Sequence, residues 1–301
     1  MDILTSGGVI PVDKPTGPTS HDVVAVARRA LGTQRVGHTG TLDPLATGLL
    51  LLCVGPATRL VQFLTGLPKD YVARVRLGVR TTTDDSEGDV ETTSERWREL
   101  DRGTVDAALD ALRGRSWQTP PRFSAKKVGG EAAHYRARRG ETVTLAPVEI
   151  DVLDLEVLDW QSPDLGLRVR CSSGTYVRAL ARDLGEALGT GAHLSALRRT
   201  AIGKFRVDGA LPPTALGDPS RVEQVWITPA AAVAHLPRVE VGPADAARLF
   251  HGQVVAVAVT EASSPPPDGL VVVLKGQELV AVAEREGECL RPRKVFPATT
   301  S

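Results

Sequence analysis

The stretch GHTGTLDPLATGLLLL, residues 37–52, poses two questions at once. Its second half is short, continuous and apolar and runs on through Cys53 and Val54, the signature of a strand buried on both faces. Its first half is too rich in glycine and threonine for regular structure, so His38 and Asp43 are expected on a loop that feeds the strand. Asp43 precedes Pro44. Proline is favoured at the first position of a helix, and aspartate just before it is a good N-cap. A single helical turn from Pro44, closed by Gly48, is therefore expected, and Asp43 is either its cap or a residue that does chemistry. In either case the pre-proline bias to extended backbone would hold its carboxylate outward.

Upstream, GGVIPVDKPTGPTS (7–20) reads as a short strand running into a Pro/Gly turn. Ser20 is expected to cap an amphipathic helix, about 21–31, that stops at Gly32. Downstream, ATRLVQFL (57–64) suits a short helix. YVARVRLG (71–78) alternates with period two, as a half-buried strand does. TTTDDSEGDV (81–90) is a polar turn, and TVDAALDALRG (104–114) a helix. VEIDVLDLEVLDW and LGLRVRCSS form a hairpin around QSPDLG, and LSALRRTAIGKFRV gives two strands around Gly203. From about residue 237 the pattern changes to a short helix and several strands. Two domains are expected: 1–236, and a small β-rich domain over 237–301.

The 301 residues suffice for a large domain and a smaller one. The opening MDILTSGGVIPVDKP lacks a signal-peptide pattern, and the longest apolar run, 49–54, is far too short to span a bilayer. A cytoplasmic protein is expected, with no membrane association. Cys53, Cys171 and Cys289 are widely separated, without zinc spacing, and read as buried apolar thiols. Net charge is zero, but only seven of the 36 basic residues are lysines. Arginine pairs with phosphates bidentately and stacks on bases better than lysine does. Residues 113–140 are strongly basic and 84–101 strongly acidic; such a pattern can create a local anion-binding face in a neutral chain, or it is simply a pair of solvated charged surfaces. GxGxxG after a strand, the P-loop, HExxH and GxSxG are all missing, so a nucleotide cofactor or a metal-hydrolase centre is unsupported.

In CSSGTYVRALARDLG (171–185) a strand ends, Gly174 permits a sharp turn and a helix opens. Positions 176 and 178 diverge on a helix but lie close on an extended segment. Tyr176 and Arg178 can share one pocket only if the helix starts at or after Tyr176.

GHTGTLDPLATGLL, KDYVARVRLG, CSSGTYVRALARDLG and AHLSALRRTAIGKF, in that order, resemble the TruB-type tRNA pseudouridine synthases over about residues 8–207. VIPVDKPTGPTSHDVV is similar to the family's opening segment, and the C-terminal piece to its small PUA-like RNA-binding domain. The resemblance implies an α+β pseudouridine-synthase fold with a mixed, largely antiparallel central sheet. It implies conversion of uridine 55 in the tRNA T loop to pseudouridine, by a monomer, without cofactor or metal. By motif, Asp43 matches the catalytic aspartate and Tyr71 the tyrosine that contacts the target base. Tyr176 and Arg178 match the active-site tyrosine and the arginine that pairs with the aspartate. His38 matches a loop histidine that meets the RNA as the base leaves the stack, Leu197 an apolar pocket wall, and Arg59 a phosphate contact. The basic stretch resembles the family's RNA-clamping thumb, about 118–142, with Arg122, Lys126, Lys127 and Tyr135 as its RNA contacts. Removing 237–301 is expected to weaken binding more than chemistry.

The reaction breaks the N1 glycosidic bond, turns the uracil over and rejoins it through C5. A carboxylate suits it as an oxygen nucleophile and a good leaving group. Attack at C1′, attack at C6 and proton abstraction all remain open. An adjacent guanidinium, assigned to Arg178, favours the charged carboxylate in a dry pocket. Tyr71 is a candidate for removing the C5 proton. Two other readings compete: a tRNA-binding or folding module without chemistry, and a hydrolase that releases uracil.

Overall fold

The apolar run forms the strand Thr47–Val54, buried from Gly48 onward. Alternate side chains leave a strand on opposite faces, and here each face has its own cover. Leu50, Leu52 and Val54 pack with Val23, Val24 and Ala27 of the helix Ser20–Ala30. Leu49, Leu51 and Cys53 pack with Val272, Leu274, Leu279, Val282 and Phe296 from the C-terminal sheet. The unbroken hydrophobicity therefore comes from a strand sandwiched between a helix and a second sheet.

The computed structural model describes residues 6–124, 127–128, 131–132, 139, 145–256 and 268–297. Among these, the strands of the central sheet run in the order Gly8–Lys14, Thr47–Val54, Ala192–Ile202, Lys69–Leu77, Asp164–Cys171, Val148–Gln161, Gly114–Gln118. Val36–His38 and Phe205–Arg206 join off this path. Only Thr47–Val54 against Ala192–Ile202 is parallel; the other described pairs are antiparallel. With helices Val177–Ala187 and Arg102–Ala111 packed on the Tyr71, Ala73 and Val75 face, this is the expected α+β arrangement. Five further strands between Arg238 and Val295, with helix Pro243–Phe250, form the small C-terminal sheet.

Four local expectations need correction. Thr19, not Ser20, caps the first long helix, through a reciprocal capping box with Asp22. Ser20 is inside the helix and spends its hydroxyl elsewhere. Residues 44–46 make no helical turn: a β-turn bond from Ala46 N–H to the Asp43 carbonyl closes the segment, and Thr47 is already in the strand. The two-residue span between Pro44 and the sheet leaves no room for a helix. His38 ends the short strand Val36–His38 rather than lying on an open loop. Cys289 is exposed beside the hairpin turn at Gly287, while Cys53 and Cys171 are buried; burial pushes these two thiols up to about 12 and about 11. No described helix is long and apolar enough to cross a membrane.

Candidate active site

Residues 40–45 have neither helix nor strand, so their carbonyls need partners from elsewhere, and every one has a partner. Arg199 donates to the carbonyls of Gly40 (3.0 Å) and Thr41 (3.3 Å). The Ser20 hydroxyl donates to Leu42 O and accepts from Leu42 N–H at 2.8 Å. Ala46 N–H takes Asp43 O. Pro44 O receives Gly17 N–H at 2.9 Å and the Lys14 ammonium at 3.3 Å. The Thr16 hydroxyl reaches Leu45 O. Lys14, fully buried, also donates to the carbonyls of Pro15 and Pro18, so one ammonium ties the Pro/Gly turn to the Asp43 loop. Burial lowers its proton affinity, against the pull of Asp43 and Glu87. The loop is irregular yet fixed, which is what a positioned carboxylate requires.

Gly48 shows how close the packing is. Its φ is +103°, and a Cβ there would lie 2.2 Å from the Arg199 carbonyl. Only glycine allows the parallel crossing of Thr47–Val54 and Ala192–Ile202 at this point.

Asp43 meets Arg178 in a bidentate pair, Nε to Oδ2 at 2.9 Å and Nη2 to Oδ1 at 3.2 Å. The carboxylate is about one-third exposed, whereas Arg178 is buried. Helix Val177–Ala187 begins one residue after Tyr176, which is extended (φ −98°, ψ 110°). This meets the condition under which Tyr176 and Arg178 share a pocket. A buried amide fixes the start: Gln118 Oε1 accepts from Tyr176 N–H at 2.9 Å and Gln118 Nε2 donates to Tyr176 O. Arg178 has five N–H donors; four hydrogen bonds and one ion pair engage them. Beyond Asp43 they reach Thr83 O and Phe123 O, both at 2.9 Å, and the buried Asp85 carboxylate at 3.4 Å. The guanidinium therefore sits between an open carboxylate and a buried one.

Strand Lys69–Leu77 carries Tyr71 opposite Arg199 and Ala73 opposite Leu197. Opposed residues in an antiparallel pair share a face, so Tyr71, Leu197 and Arg199 point the same way. Burial pushes the Tyr71 hydroxyl up, while the charge of Arg199 and its hydrogen bond to Tyr71 pull the other way. Burial likewise raises Tyr176, against the charge of Arg178. Asp43, Tyr71, Tyr176, Arg178 and Leu197 together line one cavity of about 280 Å³, with Lys69, Arg199 and residues 172–175. A larger groove of about 540 Å³ adjoins it across Leu197, lined in part by Thr16, Leu45, Val72, Arg74 and Arg198.

Of the remaining sequence-expected residues, the described His38, Arg59 and Arg122 lie outside this cavity. His38 stacks edge-on against His21, 5.6 Å between ring centres, and accepts from Gly40 N–H. Burial, then His21 and Arg199, lower its proton affinity and favour the neutral ring. Arg59 donates to Val295 O, across the junction with the C-terminal sheet. Arg122 is exposed in a separate polar cleft with Trp117 and Arg182. Lys126 and Tyr135 lie outside the described residues. Lys127 contributes backbone to a two-residue ladder with Glu131–Ala132.

Lys69 emerges only from the structure. It is buried, donates to the carbonyls of Thr65 and Leu67, and lines the cavity. Burial, reinforced by Arg199, lowers it from 10.5 to about 8. The folded chain then binds this proton more weakly than the unfolded chain. Its contribution to stability rises between pH 8 and 10.5 and is lost as pH falls through 8. Thermal unfolding across that window should give a steeper rise for the parent than for Lys69→Met; equal slopes would show an ordinary lysine.

The fold is that of the pseudouridine synthases. The chain is similar to the crystal structure of a Cbf5–Nop10–Gar1 complex (TM-score 0.75, 28% identity, 98% of this chain and 87% of that one). It is also similar to an H/ACA ribonucleoprotein bound to a substrate RNA containing 2′-deoxyuridine (TM-score 0.73, 27% identity, 98% and 86%). Residues 28–177 match the N-terminal domain of the TruB family pseudouridylate synthases, and 178–216 match the tRNA pseudouridylate synthase B C-terminal domain. The tRNA pseudouridine synthase B of Mycobacterium sp. (strain KMS) is 44% identical over 274 residues, covering 89% of this chain and 91% of that one. Its counterpart from Nocardia farcinica (strain IFM 10152) is 52% identical over 220 residues, covering 72% of each. The chain belongs to the TruB family of pseudouridylate synthases, and is thus an isomerase that converts uridine to pseudouridine.

Proposed function

We propose that this chain isomerises uridine 55 in the T loop of tRNA, with Asp43 acting on a nucleotide flipped out of the RNA. The observation that carries this reading is the Asp43–Arg178 pair at the wall of a nucleoside-sized cavity, with the carboxylate open to the cavity and the guanidinium buried. The high identity to relatives named tRNA pseudouridine synthase B supports tRNA as the substrate.

The reaction is atom-balanced within the substrate. The N1–C1′ bond breaks, the C5–C1′ bond forms, C5 loses a proton and N1 gains one. Asp43 attacks C1′ or C6, or abstracts a sugar proton; all three routes need an ionised, correctly aimed carboxylate. Arg178 supplies the opposing charge and, through its bidentate contact, the aim. The detached uracil is gripped by Tyr71, Tyr176 and Leu197, which line the cavity with Asp43. Tyr71 is protonated at rest, so to take the C5 proton, directly or through water, it first passes its own phenolic proton to N1 of the detached uracil; the charge of Arg199 stabilises the phenolate between the two transfers. Flipping costs a few kcal/mol, and neutral His38, on the same chain segment as Asp43, fills the vacated place in the stack. The 118–142 insertion is read as the thumb that closes on the RNA, and 237–301 as a PUA-like domain that extends the RNA-binding face. The enzyme acts as a cytoplasmic monomer, and no metal or cofactor enters the scheme.

The test is a T-arm RNA treated with the protein, then with carbodiimide, and read by primer extension and mass. The expected result is a single stop at position 55 with unchanged RNA mass. Loss of the uracil mass would identify a hydrolase instead. No modification despite binding would leave only an RNA-binding module, and a stop at another uridine would reassign the site.

A further inference from the structure

Arg178 has a counterpart four residues on, one helical turn away on the same face. Arg182 donates from Nη1 to Asp84 at 3.0 Å and from Nη2 to the Thr119 carbonyl at 2.9 Å; Nε and Nη2 also reach its neighbour Asp183. The two arginines thus make matching contacts. On one side they take consecutive carboxylates of a single turn, Asp85 by Arg178 and Asp84 by Arg182. On the other they take two carbonyls four residues apart, Phe123 by Arg178 and Thr119 by Arg182. That second segment is the root of the basic insertion, and Gln118 at its base holds the backbone of Tyr176 from both sides.

Asp84 carries a second mark of selection for this role. Among the described non-glycine residues it alone has a left-handed φ, +60°. Aspartate is one of the few non-glycine residues that adopt that backbone, and here it also supplies the carboxylate that Arg182 takes. Both members of the pair are mostly buried, with 16% and 17% of their side-chain surface exposed. The turn is also fixed to the Leu197 strand, by Leu194 N–H to Asp84 O and Ser86 N–H to Leu194 O.

We propose that Arg182 and Asp84 are positioning residues: they form a second rung that sets the root of the basic insertion and the acidic turn in register on helix Val177–Ala187, so that Arg178 presents Asp43 correctly. This rests on the reading of Asp43 as the catalytic carboxylate. Arg182 and Asp84 do not line the cavity; they act through Arg178, whose Thr83, Asp85 and Phe123 partners all belong to the segments the second rung holds.

The test compares Arg182→Ala, Asp84→Gly, the double variant and Arg182→Lys in single-turnover pseudouridine formation at saturating tRNA, alongside filter binding and thermal unfolding. Asp84→Gly keeps the turn's backbone relaxed and removes only the carboxylate, so it remains informative if Arg182→Ala folds poorly. Each single variant should slow the saturated rate by about 10- to 100-fold, the scale of a small misplacement, with tRNA affinity changing less than the rate. The double variant should be no slower than Arg182→Ala, as expected for residues acting as one unit, and Arg182→Lys should recover part of the loss. Parental rates in Asp84→Gly and Arg182→Ala would overturn the proposal, as would losses that multiply in the double variant or that follow thermal stability alone. Asp43→Asn, run in parallel, separates the two readings: inactive Asp43→Asn with normal Asp84→Gly sinks the second rung alone, whereas active Asp43→Asn sinks the catalytic reading beneath it.

Discussion

Replacing Asp43 by asparagine should leave the chain folded and abolish pseudouridine formation. The fold survives because nothing that fixes the loop uses the Asp43 side chain: Ser20, Lys14, Gly17 and Arg199 all hold backbone groups. Arg178 is not stranded either, since it keeps Asp85, Thr83 O and Phe123 O, and the asparagine carbonyl still accepts one bond. With a third of the carboxylate in solvent, the stability lost is about 1 kcal/mol or less, as for other partly exposed pairs. The chemical loss is of another order. An amide is neither a nucleophile nor a base, and removing such a group costs roughly 10⁴–10⁶ in turnover. Tritium release from C5-labelled tRNA, with thermal unfolding of the same preparation, measures both. A near-normal yield from a folded asparagine variant would return Asp43 to a purely local role in its turn.

The parts of this site legible in the sequence are those whose signal is local. Alternation along YVARVRLG places Tyr71 on a strand, and Gly174 marks the turn that leaves Tyr176 extended before the helix. What escaped is the machinery that holds Asp43, because its residues look like something else. Ser20 resembles a helix cap and serves as a clamp on Leu42. Lys14, at the end of a strand before a proline, carries no local sign of burial and is fully buried. Asp85 sits in a run of polar turn residues, yet its carboxylate is nearly inaccessible and completes Arg178. Arg199 had a usable signal: period-two alternation from Leu197 puts it on the pocket face, and only the habit of placing arginine outside hides it. Each of these is a long-range contact, and pairings over tens or hundreds of residues leave no trace in a local window. The same holds for the junction with the C-terminal sheet, where composition suggests a separable unit.

That junction changes the expected result of deleting residues 237–301. A detachable RNA-binding module would leave a folded, active, weakly binding enzyme. Here Val272, Leu274, Leu279, Val282 and Phe296 belong to the same core cluster as Val9, Leu49, Leu51, Leu60, Leu64, Ile202 and Phe205 of the central sheet and its flanks. Leu49 and Leu51 lie in the strand that leads out of the Asp43 loop, and Arg59 adds a polar tie to Val295 O. Burying one such side chain is worth about 1.5–3 kcal/mol. Losing the contact of five of them removes roughly 7–15 kcal/mol, an upper value because unfolded chains are partly compact. Whole domains are stable by only about 5–15 kcal/mol. The truncated chain should therefore lose cooperative thermal unfolding and aggregate, and turnover should fall with the folded fraction, not with tRNA affinity alone. Size-exclusion chromatography and calorimetry of residues 1–236 decide the matter: a monomer that melts within a few degrees of the parent would mean the shared core is dispensable. The proposed RNA-binding role of the C-terminal sheet then has to be probed at its surface. Exposed Arg291 and Lys294 contribute nothing to that core, so alanine there should weaken tRNA binding and reduce its salt dependence while the melting temperature stays unchanged.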